Sequence, residues 1–93
     1  MLYHVRMDVQ IPDALQGSAL QDILKREKNY AQDLQRSGVW VHLWRITGEY
    51  ANVSIFDIDD HDKLHQVLSN LPLYPYLTIK VTPLSTHPST IQK

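Results

Sequence analysis

Between Tyr3 and Ile11 the chain alternates strictly: Tyr3, Val5, Met7, Val9 and Ile11 are apolar, while His4, Arg6, Asp8 and Gln10 are polar. A period of two is the mark of a β-strand with one face buried. Pro12, which has no N–H to give to a ladder, ends it. From about Ser18 to Ser37 the period lengthens, and Leu20, Ile23, Leu24, Glu27, Ala31 and Leu34 fall on one helical stripe at spacings of three and four. Gly38 is placed to stop that helix, because glycine readily takes the left-handed conformation of a helix C-terminus. Val39 to Ile46 reads as a second strand, Thr47-Gly48-Glu49 as a tight turn, and Tyr50 to Ile58 as the returning strand of a hairpin. Asp59, Asp60 and Asp62 then cluster where the positive end of a helix dipole welcomes carboxylates. Leu64, Val67, Leu68 and Leu71 make the apolar stripe of a second helix that ends before Pro72. Tyr76 to Thr82 is a last strand, and a Pro-, Ser- and Thr-rich tail follows.

The order β-α-β-β-α-β predicts an α+β, ferredoxin-like sandwich, with two helices over one face of a four-stranded antiparallel sheet. Residues 1–93 are expected to form a single domain, yet a chain of 93 residues is only marginally stable if half its sheet stays wet. If Tyr3, Val5 and Met7 meet the helices, the alternation puts His4 and Arg6 on the opposite face, with Trp40, Trp44, Phe56 and Tyr76 beside them. Two indoles on one face call for burial. Pairing two sheets face to face would supply it, giving a two-fold homodimer of the dimeric α/β barrel type.

Composition narrows the partners. With 43% hydrophobic and 20% charged residues the chain should be folded nearly throughout. Nine Lys and Arg against ten Asp and Glu leave a net charge of -1 with no basic run, so neither nucleic acid nor an anionic membrane is an expected partner. The absence of cysteine removes disulfides, a thiolate nucleophile and sulfur-ligated metals. The alternating N-terminus is unlike a signal peptide and no stretch reaches membrane-spanning length, so a cytoplasmic location is expected.

One residue breaks the pattern. Glu27 lies near the centre of the first helix's apolar stripe, so a helix packed by that stripe aims a carboxylate at the sheet. Desolvation raises the pKa of such a group toward the range of a general base. Arg45 shares strand parity with Val39, Val41 and Leu43, which makes it the natural counter-ion. The pair reads either as a buried ion pair with no catalytic duty or as acid–base machinery in one pocket. Lys28, at the stripe's edge, either enters that pocket or snorkels to water. His61 and His65 stand four apart but off the apolar stripe and without a third ligand, so a solvated face is expected and no metal. Tyr74 and Tyr76, with Pro72 and Pro75, make either a binding edge or plain aromatic–proline packing. Ser85 and His87 lie two apart on a tail, which is no triad geometry. No glycine-rich phosphate loop or nucleotide fingerprint is present, and no cofactor is expected.

The segments MLYHVRMDV, KREKNYAQDLQRSG, HLWRITGEYANVSIFD and LPLYPYLTIKVTPLSTHPS together resemble the muconolactone Δ-isomerase family over nearly the whole length, from Met1 to Ser89. The resemblance implies a cytoplasmic bacterial enzyme of the β-ketoadipate route of aromatic breakdown, active without metal or coenzyme and assembled as a decamer of five dimers. It implies a small lactone carboxylate as substrate and a 1,3-proton shift as the reaction. In that scheme Glu27 is the base, and Tyr50 and Asn52 of the YAN motif are candidates for hydrogen-bonding the lactone oxyanion. Arg45, with its bidentate fork, and Lys28, with a point charge, would hold the substrate carboxylate. Many members carry Cys-Arg just before the HPS segment where this chain has Ser85-Thr86, so no thiol or cation carries over there. Three rivals share the fold: 5-chloromuconolactone dehalogenases, cofactor-free monooxygenases, and non-catalytic dimeric α/β-barrel binding proteins.

Overall fold

The computed structural model describes residues 1–91; the domain end expected at residue 93 lies outside them. The elements follow in the expected order: β1 (Leu2–Val9), α1 (Gly17–Arg36), β2 (Trp40–Arg45), β3 (Ala51–Asp57), α2 (His61–Ser69), a 3-10 turn (Tyr74–Tyr76) and β4 (Leu77–Leu84). The strands form one antiparallel sheet in the order β2-β3-β1-β4. Both helices therefore cross between strands that are not neighbours, which is the ferredoxin-like arrangement.

Local chemistry accounts for the boundaries. Past the end of α1, Gly38 turns the chain with φ +85°, and the N–H groups of Ser37, Gly38 and Val39 donate to the carbonyls of Asp33, Gln35 and Leu34. Those carbonyls would otherwise lack partners. Asp60 caps α2, its carboxylate accepting the Lys63 N–H at 2.8 Å. Gly48, at φ +83°, gives the β2–β3 hairpin its tight turn. Among the described residues no helix is long and apolar enough to cross a membrane.

The core lies between the helices and one side of the sheet. Tyr3, Val5 and Met7 of β1 are buried there against Ala31 of α1 and Leu64 and Leu68 of α2, with Leu71 sealing the end. The Tyr30 hydroxyl donates to the Val67 carbonyl at 2.9 Å and ties α1 to α2.

The outer face differs from expectation. Tyr3 stands opposite Phe56, and Phe56 opposite Trp40, so all three share the helix-facing side. Trp40 and Phe56 are both buried, with ring centroids 4.7 Å apart. The cause in β2 is a bulge: Trp40 pairs with Phe56 but His42 already pairs with Ile55, which makes Val41 an extra residue. An extra residue inverts the alternation beyond it. Leu43 and Arg45 consequently join Trp40 on the helix side, while His42 and Trp44 point away. Phe56 was misplaced because Val53, Ile55 and Phe56 do not alternate. Tyr76 lies in the 3-10 turn before β4 and not on the strand. The outer face holds His4 and Arg6 as expected, with Val53, Ile55, Leu84 and one indole, Trp44, which is 55% exposed and stacks on His42 at 4.9 Å.

Candidate active site

A cavity of about 380 Å³ opens between α1 and the helix-facing side of the sheet. That volume falls within the range of about 300–1,000 Å³ typical of small-ligand sites. Met7, Leu24, Trp40 and Leu77 give it apolar walls, and Glu27, Lys28, Arg45, Tyr50 and Asn52 all line it.

Two periodicities bring these side chains together. Glu27 follows Leu24 by three residues and precedes Ala31 by four, so the face of α1 that packs on the sheet must carry it inward. On the sheet, Met7 pairs with Asn52 and Asn52 with Arg45, which sets the three in one row across β1, β3 and β2. The Val41 bulge is what turns Arg45 to this side together with Trp40. Tyr50 stands at the hairpin's end, just before β3.

Glu27 is half-buried, and its Oε1 accepts the backbone N–H of Leu73 at 2.9 Å. Burial pushes the carboxyl above the usual carboxylate range, and the Leu73 hydrogen bond, the smaller influence, pulls it partly back. Among the described residues no cation pairs with Glu27. The expected Glu27–Arg45 ion pair is therefore absent. Arg45 is exposed beside the hairpin turn, and its guanidinium carbon lies 5.2 Å from the centroid of the Tyr50 ring. Both groups line one cavity without an ion pair between them, so the carboxylate keeps lone pairs able to accept a proton and the guanidinium keeps donors able to meet an anion.

Asn52 is oriented from behind. Its Oδ1 accepts the hydroxyl proton of Ser54, itself fully buried, at 2.9 Å, which leaves the amide N–H₂ group as the donor end. Lys28 is exposed on the rim, without an ion pair among the described residues. The site thus offers one base of raised pKa, two cations and two hydrogen-bond donors around an apolar floor.

Other candidates stay apart. His61 and His65 are exposed on α2, and among the described residues no group of three or more His, Cys, Asp or Glu is arranged to hold a metal ion. Ser85, Thr86 and His87 are exposed beyond β4, and the His87 ring nitrogen Nδ1 accepts the Ser89 N–H at 3.0 Å. Tyr74 and Tyr76 do not line the cavity, but their turn delivers Leu73, which does. The sequence reading missed Leu73, whose contribution is a backbone N–H that no side-chain pattern announces. It also missed Trp40, hidden by the bulge, and Gln32, which lies one helical turn beyond Lys28 and lines the same cavity. A polar residue at that spacing from Lys28 was a signal within reach.

The model of the family described as muconolactone delta-isomerase matches residues 1–90. The chain is 56% identical to the muconolactone Δ-isomerase of Cupriavidus pinatubonensis, covering 99% of this chain and 100% of that protein. It is 54% identical to muconolactone Δ-isomerase 1 of Acinetobacter lwoffii, over 99% of this chain and 96% of that one. Among solved structures, a muconolactone isomerase superposes with a TM-score of 0.94 at 46% identity, covering 100% of this chain and 97% of the other.

Proposed function

The chain belongs to the muconolactone Δ-isomerase family, and on that premise we propose that its cavity moves the ring double bond of muconolactone by a 1,3-proton shift, with Glu27 as the single base. The product is 3-oxoadipate enol-lactone. The observation that carries this reading is the half-buried Glu27 carboxylate, raised in pKa by burial and unpaired with any cation among the described residues, in one cavity with Arg45, Lys28, Tyr50 and Asn52.

The γ-proton of the lactone ring is acidified through the conjugated double bond. Glu27 removes it, the C–H electron pair becomes the β,γ double bond, and the former α,β pair moves toward the carbonyl to give a dienolate. The protonated Glu27 then returns the proton to the α-carbon, the carbonyl is restored, and the carboxylate is regenerated. Charge peaks on the lactone oxygen in the dienolate, where Tyr50 and Asn52 donate hydrogen bonds; fixed donors of this kind are worth about 10²–10³ in rate each. Arg45 grips the side-chain carboxylate of the substrate, and Lys28 adds a rim charge that draws the anion in.

The working unit in this proposal is one domain spanning residues 1–93, cytoplasmic, acting on a small lactone carboxylate in aromatic catabolism. Its outer sheet face, with Trp44, Val53 and Ile55, pairs with a second copy, and dimers assemble into a decamer. The test is direct: purified protein is given muconolactone and 5-chloromuconolactone in parallel, following loss of the conjugated lactone and release of chloride. Isomerisation of the unsubstituted lactone is expected. Turnover of the chlorinated lactone alone, with chloride release, would assign the chain to dehalogenation instead.

A further inference from the structure

We infer that Leu73 is the positioning residue of the base: its backbone N–H, presented by a proline-bracketed turn, holds one oxygen of Glu27 and leaves the other to carry the proton. The inference rests on the reading of Glu27 as the base and adds how that base is aimed.

The contact is Leu73 N–H to Glu27 Oε1 at 2.9 Å, across 46 residues of sequence. It is the only hydrogen bond to this carboxylate among the described residues, so the two oxygens are inequivalent. Oε1 is committed to the backbone, and Oε2 is the oxygen with lone pairs to spare.

The donor itself is held rigidly. The Leu73 side chain is 5% exposed, which anchors the residue in the core. The Tyr74 N–H donates to the Leu71 carbonyl and the Tyr76 N–H to the Leu73 carbonyl, both at 2.8 Å. Pro72 and Pro75 fix their own φ angles on either side. Burial of Leu73 and the two hydrogen bonds of the turn hold the Pro72–Leu73 peptide more stiffly than the rotatable side chain of Glu27 is held. Glu27 must pivot about Oε1, and a pivot carries Oε2 over a short arc.

Such an arc is what a single base needs when it lifts a proton from one ring carbon and returns it two carbons away on the same face. The hydrogen bond also strengthens when the carboxylate is charged and weakens when it is neutral. It thereby limits how far burial can push the group toward permanent protonation.

The test replaces Leu73 with its α-hydroxy acid analogue, which turns one amide into an ester and deletes the N–H while keeping the side chain. Loss of a donor to a charged group moves the acid limb of the kcat/KM profile upward by about one pH unit, equivalent to a roughly tenfold loss on the acid side, with KM near that of the unmodified protein. The same replacement at Asn70 removes a backbone hydrogen bond to the Gln66 carbonyl at the end of α2, outside the turn that holds Leu73, and its limb should stay in place. An unmoved limb at Leu73, or an equal shift at Asn70, overturns the inference.

A second measurement needs no backbone change. In protein labelled at leucine nitrogen, the Leu73 amide resonance should titrate with the midpoint of the activity limb, and should lose that titration in Glu27→Gln. A flat Leu73 resonance overturns the inference equally. Glu27→Gln separates the two levels of argument: if that variant stays active, the assignment of the base fails, whereas an inactive Glu27→Gln with an unmoved Leu73 limb sinks only the role of Leu73.

Discussion

Replacing Glu27 by Gln is the perturbation that most sharply divides chemistry from architecture here. The amide keeps the length of the side chain and an oxygen to accept the Leu73 N–H now held at 2.9 Å, but has no useful basicity. General base catalysis contributes about 10²–10⁴-fold, or roughly 2.7–5.4 kcal/mol of barrier, and a loss in that range is expected. Stability should behave differently. Had Glu27 been locked to Arg45, cutting the pair would cost on the order of 1–3 kcal/mol. No such pair exists among the described residues. The variant gives up the charge assistance of one hydrogen bond and is relieved of a desolvated charge, so its stability should stay within about 1 kcal/mol of the parent. The assay is lactone isomerisation, or exchange of the γ-proton with deuterated water, in protein shown by denaturant titration to be folded. Retention of more than about a tenth of the parent rate, under about 1.4 kcal/mol of barrier, would mean that the proton moves through another group.

The raised pKa of Glu27 also sets the pH dependence: kcat/KM should fall below an acid limb lying above the ordinary carboxylate range, and a limb at or below that range contradicts the burial argument. For stability the sign is the reverse of the usual carboxylate case, because the folded state holds this proton more tightly than the unfolded state; the contribution is complete below the unfolded pKa and lost as pH rises through the folded one. Solvent screening at a half-buried site keeps that slope shallow, and comparing parent and Glu27→Gln melting across pH reads it. Arg45→Lys should raise KM severalfold with little change in kcat and less than about 0.5 kcal/mol in stability, since the guanidinium is exposed and forms no ion pair among the described residues; a lower melting temperature with unchanged kinetics would mark it as structural. Asn52→Asp keeps an acceptor for the buried Ser54 hydroxyl but puts an anion where the dienolate charge builds, so kcat should drop about 10²-fold or more in a folded protein. Trp44→Glu should shift sedimentation toward smaller species, whereas a parent protein already sedimenting near 10.8 kDa at micromolar concentration would refute self-association.

β1 and α1 were legible because each carries a clean period: the alternation from Tyr3 to Val9 defines β1, and the Leu20-to-Leu34 stripe defines α1 and, through its one charged member, Glu27. Arg45 was correctly assigned to the helix side for an incomplete reason, since strict alternation also sent Trp40 outward. A bulge is a cooperative choice of the sheet, made where burying Trp40 against Phe56 outweighs one lost ladder position, and nothing local in VWVHLW announces it. Leu73 was opaque for a different cause: its role comes from a main-chain N–H, which every residue except proline possesses. Of the two readings of Glu27 and Arg45, the ion pair does not form among the described residues, because parity specifies a side of the sheet and not a distance along it.

The Val41 bulge has one more consequence, in spectroscopy. By inverting the strand between two indoles only four positions apart, it gives the molecule two fluorophores in opposite surroundings: Trp40, 2% exposed beside the cavity, and Trp44, 55% exposed on the far side of the sheet. Emission from the first should be blue-shifted until the core opens and should respond to whatever fills the cavity. Emission from the second should stay red-shifted until another surface covers it. Single-tryptophan variants would therefore report chain collapse and subunit association as separate optical signals, without any added label.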